Sequence, residues 1–163
     1  MIIKSATIND IEAIQKLATI IWPVAYKEIL STEQLNYMLQ EFYGLEALKD
    51  QMLTKGHQFY ILIDEQNNEL GFASVSKEEN QTFKLQKLYV LPSQQGKNLG
   101  KMLLNEAIAY ALKNMGKRII LNVNRFNKAI LFYQKHGFKI IEEVDIAIGN
   151  NYFMNDYVME QNL

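Results

Sequence analysis

Leu85-Gln-Lys-Leu-Tyr-Val-Leu-Pro-Ser-Gln-Gln-Gly-Lys-Asn-Leu-Gly-Lys-Met102 is the stretch that decides the fold. Its first half alternates apolar and longer polar side chains as far as Val90 and Leu91, which predicts a strand. Pro92 ends that strand because it has no N–H to give a ladder. Gln94 to Gly100 is a short polar turn, and an apolar helical period begins at Leu99. Strand, glycine-bearing turn and helix start in succession aim unpaired backbone N–H groups and the positive end of a helix dipole at an anion. Gly96 allows close backbone approach, and Asn98 is among the few non-glycine residues that tolerate positive φ. Lys97 and Lys101 add charge beside it. The stretch reads as a phosphate cradle. It is not a Walker loop, because Leu91 stands where the first glycine belongs and Asn98 follows Gly96-Lys97. Nor is it a dinucleotide fingerprint, since only two of the three glycines are present.

The totals narrow the rest. At 163 residues, residues 1–163 are expected to form one domain. A hydrophobic content of 48% supports a real core, and a formal net charge of −1 argues against a generic nucleic-acid binder. The chain has no cysteine, which excludes a disulfide scaffold, a cysteine metal site and an acyl-cysteine intermediate. With His57 and His136 as the only histidines, no metal centre is expected. There is no run of apolar residues long enough to span a bilayer, and Met1 to Thr7 does not read as a signal peptide. A cytoplasmic protein with no membrane partner is the expectation.

Working outward from the cradle, Phe83 to Leu91 is a strand, preceded by strands at Phe59–Ile63 and Leu70–Ser76. Toward the N-terminus, Ile2 to Thr7 is a short strand. Asn9 with Glu12 makes a capping box for a helix bearing Ile11, Ile14, Leu17, Ala18 and Ile21, and Trp22-Pro23 breaks or kinks it. Ser31 and Gln34 cap a second helix, and Leu45 to Leu53 looks like a further short one. Beyond the cradle, Leu99 to Met115 is helical with Gly116 as its stop. Arg118 to Val123 is a buried strand, and Asn127 caps a helix over Lys128–Lys135. Phe138–Ile148 and Tyr152–Glu160 form a hairpin about Gly149-Asn150-Asn151. In outline the order is β-α-α-β-β-β-α-β-α-β-β. That is an α/β fold: a mixed, mostly antiparallel central sheet with helices on both faces.

Asn127-Lys128-Ala129-Ile130-Leu131-Phe132-Tyr133-Gln134-Lys135-His136-Gly137-Phe138 is the second informative stretch. It resembles the pattern Asn-x-Ala-Ile-x-Phe-Tyr-x-x-x-Gly-Phe of the GNAT N-acetyltransferases, here complete. Gln95-Gly96-Lys97-Asn98-Leu99-Gly100 resembles their Gln-x-x-Gly-x-Gly pyrophosphate motif, with Asn98 in place of the central glycine. Two motifs in the family's order, with the expected helix and strand between them, are far more specific than either alone. The motif-level likeness covers Leu85 to Phe138, and the rest agrees in element order.

The resemblance implies an enzyme that moves an acetyl group directly from acetyl-CoA, its cosubstrate, to a primary amine. The backbone of Leu88 and Val90 would pair with the pantetheine arm, and an N–H there would polarise the thioester carbonyl. Gln95, Gly96, Lys97, Asn98, Leu99, Gly100 and Lys101 would bind the pyrophosphate, and Asn127 would touch the pantetheine. Tyr133 would sit beside the sulfur. A phenol of pKa ~10 stays protonated at neutral pH and can give its proton to the departing thiolate.

The base that deprotonates the amine is not assigned. Some family members place a Glu early in the strand before the cradle, but Phe83-Lys84-Leu85-Gln86-Lys87 has no carboxylate. Glu78, Glu79, Glu143 and Asp156 are candidates by composition, each read as a solvated surface charge, and a water relay serves equally well. Trp22, Tyr26, Tyr37, Phe42 and Tyr43, with Tyr152, Phe153 and Tyr157 near the end, offer an aromatic-walled slot for an ammonium. Trp22 and Tyr26 are the substrate-binding candidates, and the segment around them resembles bacterial members that include polyamine acetylases. A small-molecule amine is the expected acceptor. A protein N-terminus or lysine, or a CoA-binding module without catalysis, are the alternatives. The resemblance also implies a homodimer.

Overall fold

The computed structural model describes residues 1–163. Strand β1 (Ile2–Ser5) leads into a short 3-10 turn (Ile8–Asp10) and three helices, α1 (Ile11–Ala25), α2 (Thr32–Tyr43) and α3 (Leu45–Leu53). Strands β2 (Gln58–Ile63), β3 (Glu69–Lys77) and β4 (Thr82–Val90) follow, then α4 (Leu99–Lys113), β5 (Arg118–Asn124), α5 (Ala129–Lys135), β6 (Lys139–Gly149) and β7 (Tyr152–Asn162). They form one seven-stranded sheet in the order β1-β2-β3-β4-β5-β7-β6. Only β4 and β5 run parallel. The mixed, mostly antiparallel sheet with helices on both faces is as expected; three helices stand between β1 and β2, the third being the short one read at Leu45–Leu53 and left out of the outline order.

Strand alternation sends successive side chains to opposite faces, so the sheet carries two cores. On one face, Leu99, Leu103, Leu104, Ala107 and Ala111 of α4, with Tyr133 of α5, pack against Leu85, Leu121 and Met159. On the other, Ile14, Leu17, Ala18, Ile21 and Trp22 of α1, Met38 of α2 and Leu48 of α3 cover Phe59, Ile61 and Phe72.

Several local expectations are corrected. The N-terminal cap is Thr7, not Asn9. Its side chain accepts from Asn9 N–H while Asp10 Oδ2 accepts from Thr7 N–H at 2.9 Å. Pro23 does not break α1, which runs on to Ala25. At the end of α4 the left-handed residue is Met115 (φ 64°), not Gly116. Gly116 is required for a different reason: a Cβ there would lie 2.7 Å from the Phe83 ring and 2.8 Å from the Ala111 carbonyl oxygen. The hairpin turn is as read, with Asn150 and Asn151 both at positive φ.

Candidate active site

The site begins where β4 and β5 part. Their parallel ladder covers only Thr82–Leu85 against Arg118–Leu121, although β4 continues to Val90 and β5 to Asn124. The closed end is pinned by Arg118, whose Nε donates to Thr82 Oγ1 at 2.7 Å and whose Nη1 pairs with Glu160 of β7 at 2.8 Å. The open end starts at a bulge. Ser74 of β3 faces Lys87 while Val75 faces Leu85, so Gln86 is an extra residue in β4. A bulge bends its strand and raises the local twist, here steering β4 away from β5.

The bulge also fixes where the backbone points. Leu91 N–H donates to Leu70 carbonyl at 2.8 Å. Antiparallel ladders alternate, so Tyr89 and Lys87 exchange bonds with β3. The N–H and C=O groups of Leu88 and Val90 therefore turn toward the fork, where β5 no longer reaches them. An unpaired stretch of strand edge inside a sheet is a receptor for another extended chain.

At the end of that edge lies the turn into α4. Gly96 (φ 80°) and Asn98 (φ 62°) are both left-handed, the conformation for which Gly and Asn are suited. A Cβ built on Gly96 would meet nothing within 4 Å, so the space before the turn is open. The amides of Gly96, Lys97, Asn98, Leu99, Gly100 and Lys101 find no acceptor within the protein; the first intrahelical bond of α4 is Met102 N–H to Asn98 carbonyl, at 3.1 Å. Consecutive unpaired amides at a helix N-terminus form an anion cradle. Leu99 anchors the turn in the core, while Lys97 and Lys101 are exposed; Lys97 Nζ meanwhile donates to Gln94 Oε1 at 2.8 Å.

Inside the fork a cavity of about 380 Å³ opens. Leu88, Val90, Gln95, Asn127 and Tyr133 line it, as do both acceptor candidates, Trp22 and Tyr26. Asn127 Oδ1 accepts from Ala129 N–H at 2.8 Å, but α5 begins at Ala129, so the cap position is Lys128 and Asn127 stands one residue ahead of it. Phe132 and Phe138 pack edge-on against the Tyr133 ring, at 5.3 and 5.7 Å between centroids, and hold it in place. Its hydroxyl makes no hydrogen bond within the protein, and burial, then Tyr26, push its pKa up. It is a phenol held protonated.

The other wall of the cavity is aromatic. Trp22 packs against Tyr26, Tyr43 and Tyr89 with centroids 4.7, 5.3 and 5.9 Å away. Phe42, Tyr43 and Phe153 join this wall, but Tyr37, Tyr152 and Tyr157 do not. Tyr37 instead ties α2 to the hairpin, its hydroxyl donating to Ile148 carbonyl at 2.7 Å. Tyr26 and Tyr89 share a hydrogen bond between hydroxyls at 3.0 Å.

Three charged residues line it as well: Lys84, Lys87 and Asp156, the last of them a base candidate by composition alone. Lys87 lies over the Tyr43 ring at 5.1 Å, and burial, with Lys55 and Lys84 nearby, lowers its pKa to about 8. Asp156 is the larger correction. Read as a solvated surface charge, it is 1% exposed and faces the cavity. The signal was present in the alternation of β7, because Asp156 shares a face with Met154, which packs against the α1–α3 core. Of the other carboxylates, Glu143 is exposed and paired with Arg125.

Residues 55–140 match the family model described as acetyltransferase (GNAT) domain. The chain belongs to the GNAT acetyltransferase family, whose enzymes are acyltransferases that use acetyl-CoA. A spermidine N(1)-acetyltransferase of Thermoplasma acidophilum is 29% identical over 156 residues, 93% of this chain and 94% of that protein. The PaiA N-acetyltransferase of that organism, solved in complex with coenzyme A, superposes with a TM-score of 0.82 at 26% identity over all of both chains. An uncharacterized N-acetyltransferase of Mycobacterium tuberculosis is 34% identical over 95 residues, 58% of this chain; the match spans 60% of that relative's length. No helix of the protein is long and apolar enough to cross a membrane.

Proposed function

We propose that this protein transfers the acetyl group of acetyl-CoA directly to the primary amine of a small, polyamine-like molecule. The observation that carries the reading is the succession along β4: turned-out backbone at Leu88 and Val90 and the unbonded Tyr133 hydroxyl line one cavity, Gln95 stands at its edge, and the free amides of Gly96 to Lys101 follow directly in the chain. The pyrophosphate rests on the amides, with Gln95 and the charges of Lys97 and Lys101 beside it. The pantetheine arm lies along β4 between Leu88, Val90 and Asn127. A β4 N–H polarises the thioester carbonyl, where negative charge develops in the transition state. Tyr133 donates its proton to the leaving sulfur.

The acceptor enters from the aromatic side, past Trp22 and Tyr26. A cavity of this volume suits a small molecule rather than a folded partner. The likeness to a spermidine acetyltransferase over nearly the whole of both chains supports the polyamine-like class. The test is a thermal-shift measurement with acetyl-CoA, followed by thiol release across a panel of alkylamines and polyamines. Stabilisation by acetyl-CoA together with amine-dependent thiol release is expected. Stabilisation without release for any amine would replace this reading with that of a CoA-binding module, and no stabilisation would remove the cosubstrate site.

A further inference from the structure

We propose that Asp156 is the catalytic carboxylate on the acceptor side, binding the incoming ammonium and taking its proton. The proposal deepens the small-amine reading above and rests on it.

Three observations carry it. First, Asp156 is a nearly fully buried carboxylate on the wall of the reaction cavity, and it is poorly satisfied. Its one hydrogen bond within the protein comes from Asn122 Nδ2 at 3.5 Å, a length at which little stabilisation remains. A buried charge without a partner is costly, so such a group persists where function uses it. Second, the cation best placed by sequence to neutralise it is held elsewhere. Arg125 follows Asn124, the residue opposite Asp156 in the β5–β7 ladder, yet both arms of its guanidinium pair with Glu143 and Asp145 of the edge strand β6. Lys84 of β4 also lines the cavity but makes no ion pair with Asp156. Third, Asp156, Tyr26 and Tyr133 share one cavity; burial first, and then the Asp156 charge, raise the Tyr26 pKa, as burial and then Tyr26 raise that of Tyr133. The carboxylate and the phenol line the same cavity, as do Trp22 and Tyr26.

The charged and titratable groups near Asp156 are Lys84 from β4, Arg125 after β5 and Tyr26 just after α1, with Tyr133 from α5 on the same cavity. Burial raises the Asp156 pKa, against smaller lowering effects of Asn122, Lys84 and Arg125, which makes it a stronger base than an exposed aspartate.

The step balances. Asp156 takes one proton from the ammonium, and the freed amine attacks the thioester carbonyl, forming the C–N bond. As the C–S bond breaks, Tyr133 gives its proton to sulfur and regains one from the new amide nitrogen. Asp156 then releases its proton to solvent. One ammonium and one acetyl thioester yield one amide, one thiol and one free proton.

The experiment compares the wild-type chain with Asp156→Asn and Asp156→Glu. It measures kcat/KM for spermidine and for simple alkylamines across pH, acetyl-CoA affinity by calorimetry, and thermal stability. For Asp156→Asn, kcat/KM for the amine should fall by ~10²–10³-fold. The acid limb of the wild-type profile should disappear, acetyl-CoA affinity should stay within about twofold, and Tm should not fall. Asp156→Glu should recover part of the rate. An Asp156→Asn protein whose amine kcat/KM stays within about threefold of wild type, with the acid limb intact, overturns the proposal while leaving the acetyltransferase reading standing. So does a loss that tracks weakened acetyl-CoA binding. A wild-type protein that binds acetyl-CoA but acetylates no amine overturns both.

Discussion

The two sides of the cavity are built from different materials. The side proposed to take the donor is main chain: the turned edge of β4 and, beyond it, the amides of Gly96 to Lys101, which bond through backbone rather than side chain. The acceptor side is side chains drawn from α1, α2, β4 and β7. Unmet hydrogen-bonding capacity follows the same division. On the donor side it belongs to backbone N–H groups near the surface, which water satisfies at no cost. Among side chains it is buried: Trp22 Nε1 on the cavity wall and, away from the cavity, Gln51 Oε1, His57 Nδ1, Ser74 Oγ and Gln161 Oε1 are inaccessible and unpaired. The open amides cost the fold little, whereas the buried Trp22 N–H in the aromatic wall destabilises it.

The sharpest way to break this contrast is at the side chain proposed to protonate the leaving sulfur. Tyr133→Phe should lower kcat by ~10²-fold with acetyl-CoA KM nearly unchanged, because it removes a proton donor and leaves the packing against Phe132 and Phe138 intact. Steady-state kinetics in both substrates decide it; an unchanged kcat would take Tyr133 out of the chemistry.

Next is His57, away from the cavity. Burial, then the charges of Lys87 and Lys55, lower its pKa to about 4, and its ring stacks on Phe59. Its depressed value means that the unfolded chain binds a proton that the folded chain refuses between pH 6.5 and about 4. The folded state is therefore unpenalised above that window and loses stability as pH falls through it, by ~2 kcal/mol after allowing for partial exposure. His57→Phe should flatten that acid-side loss in a series of denaturant titrations. The same slope in both proteins would mean that the histidine ionises freely.

Gly96→Ala is a smaller perturbation. A Cβ at φ 80° meets no neighbour, so the cost is the backbone conformation alone, ~1 kcal/mol, read as a roughly fivefold rise in acetyl-CoA KM. The smallest effect is expected for Asn98→Gly. It relieves a left-handed residue, yet Asn already tolerates that region, so affinity and stability should move by less than about 0.5 kcal/mol. A large gain in affinity would show that Asn98 is a compromise in the cradle.

The same division of materials explains what could be read in the chain. The cradle was legible because every part of it lies within seven residues, Gln95 to Lys101, and its conformation follows from Gly96 and Asn98 alone. Tyr133 was legible through its neighbours in the second motif. Asp156 was not, because its burial depends on pairing with β5, which begins 38 residues before it. Lys87 was missed for a related reason: the bulge at Gln86 shifts the alternation by one and turns Lys87 onto the Tyr43 face. Pro23 was overread as a breaker, since α1 has only two residues left to run beyond it.

One consequence of the short β4–β5 ladder is mechanical. The two halves of the sheet, β1 to β4 and β5 to β7, are stitched at one end only, by the pairs from Thr82 to Leu85 and the Arg118 clamp. They can splay about that stitch like the covers of a book about its spine. A molecule bonded along the free edge of β4 and wedged against β5 would fasten the opposite margin. Occupancy would then be felt as stiffness in strands that touch no ligand, and slower amide exchange in β2 and β7 on adding acetyl-CoA would be its signature.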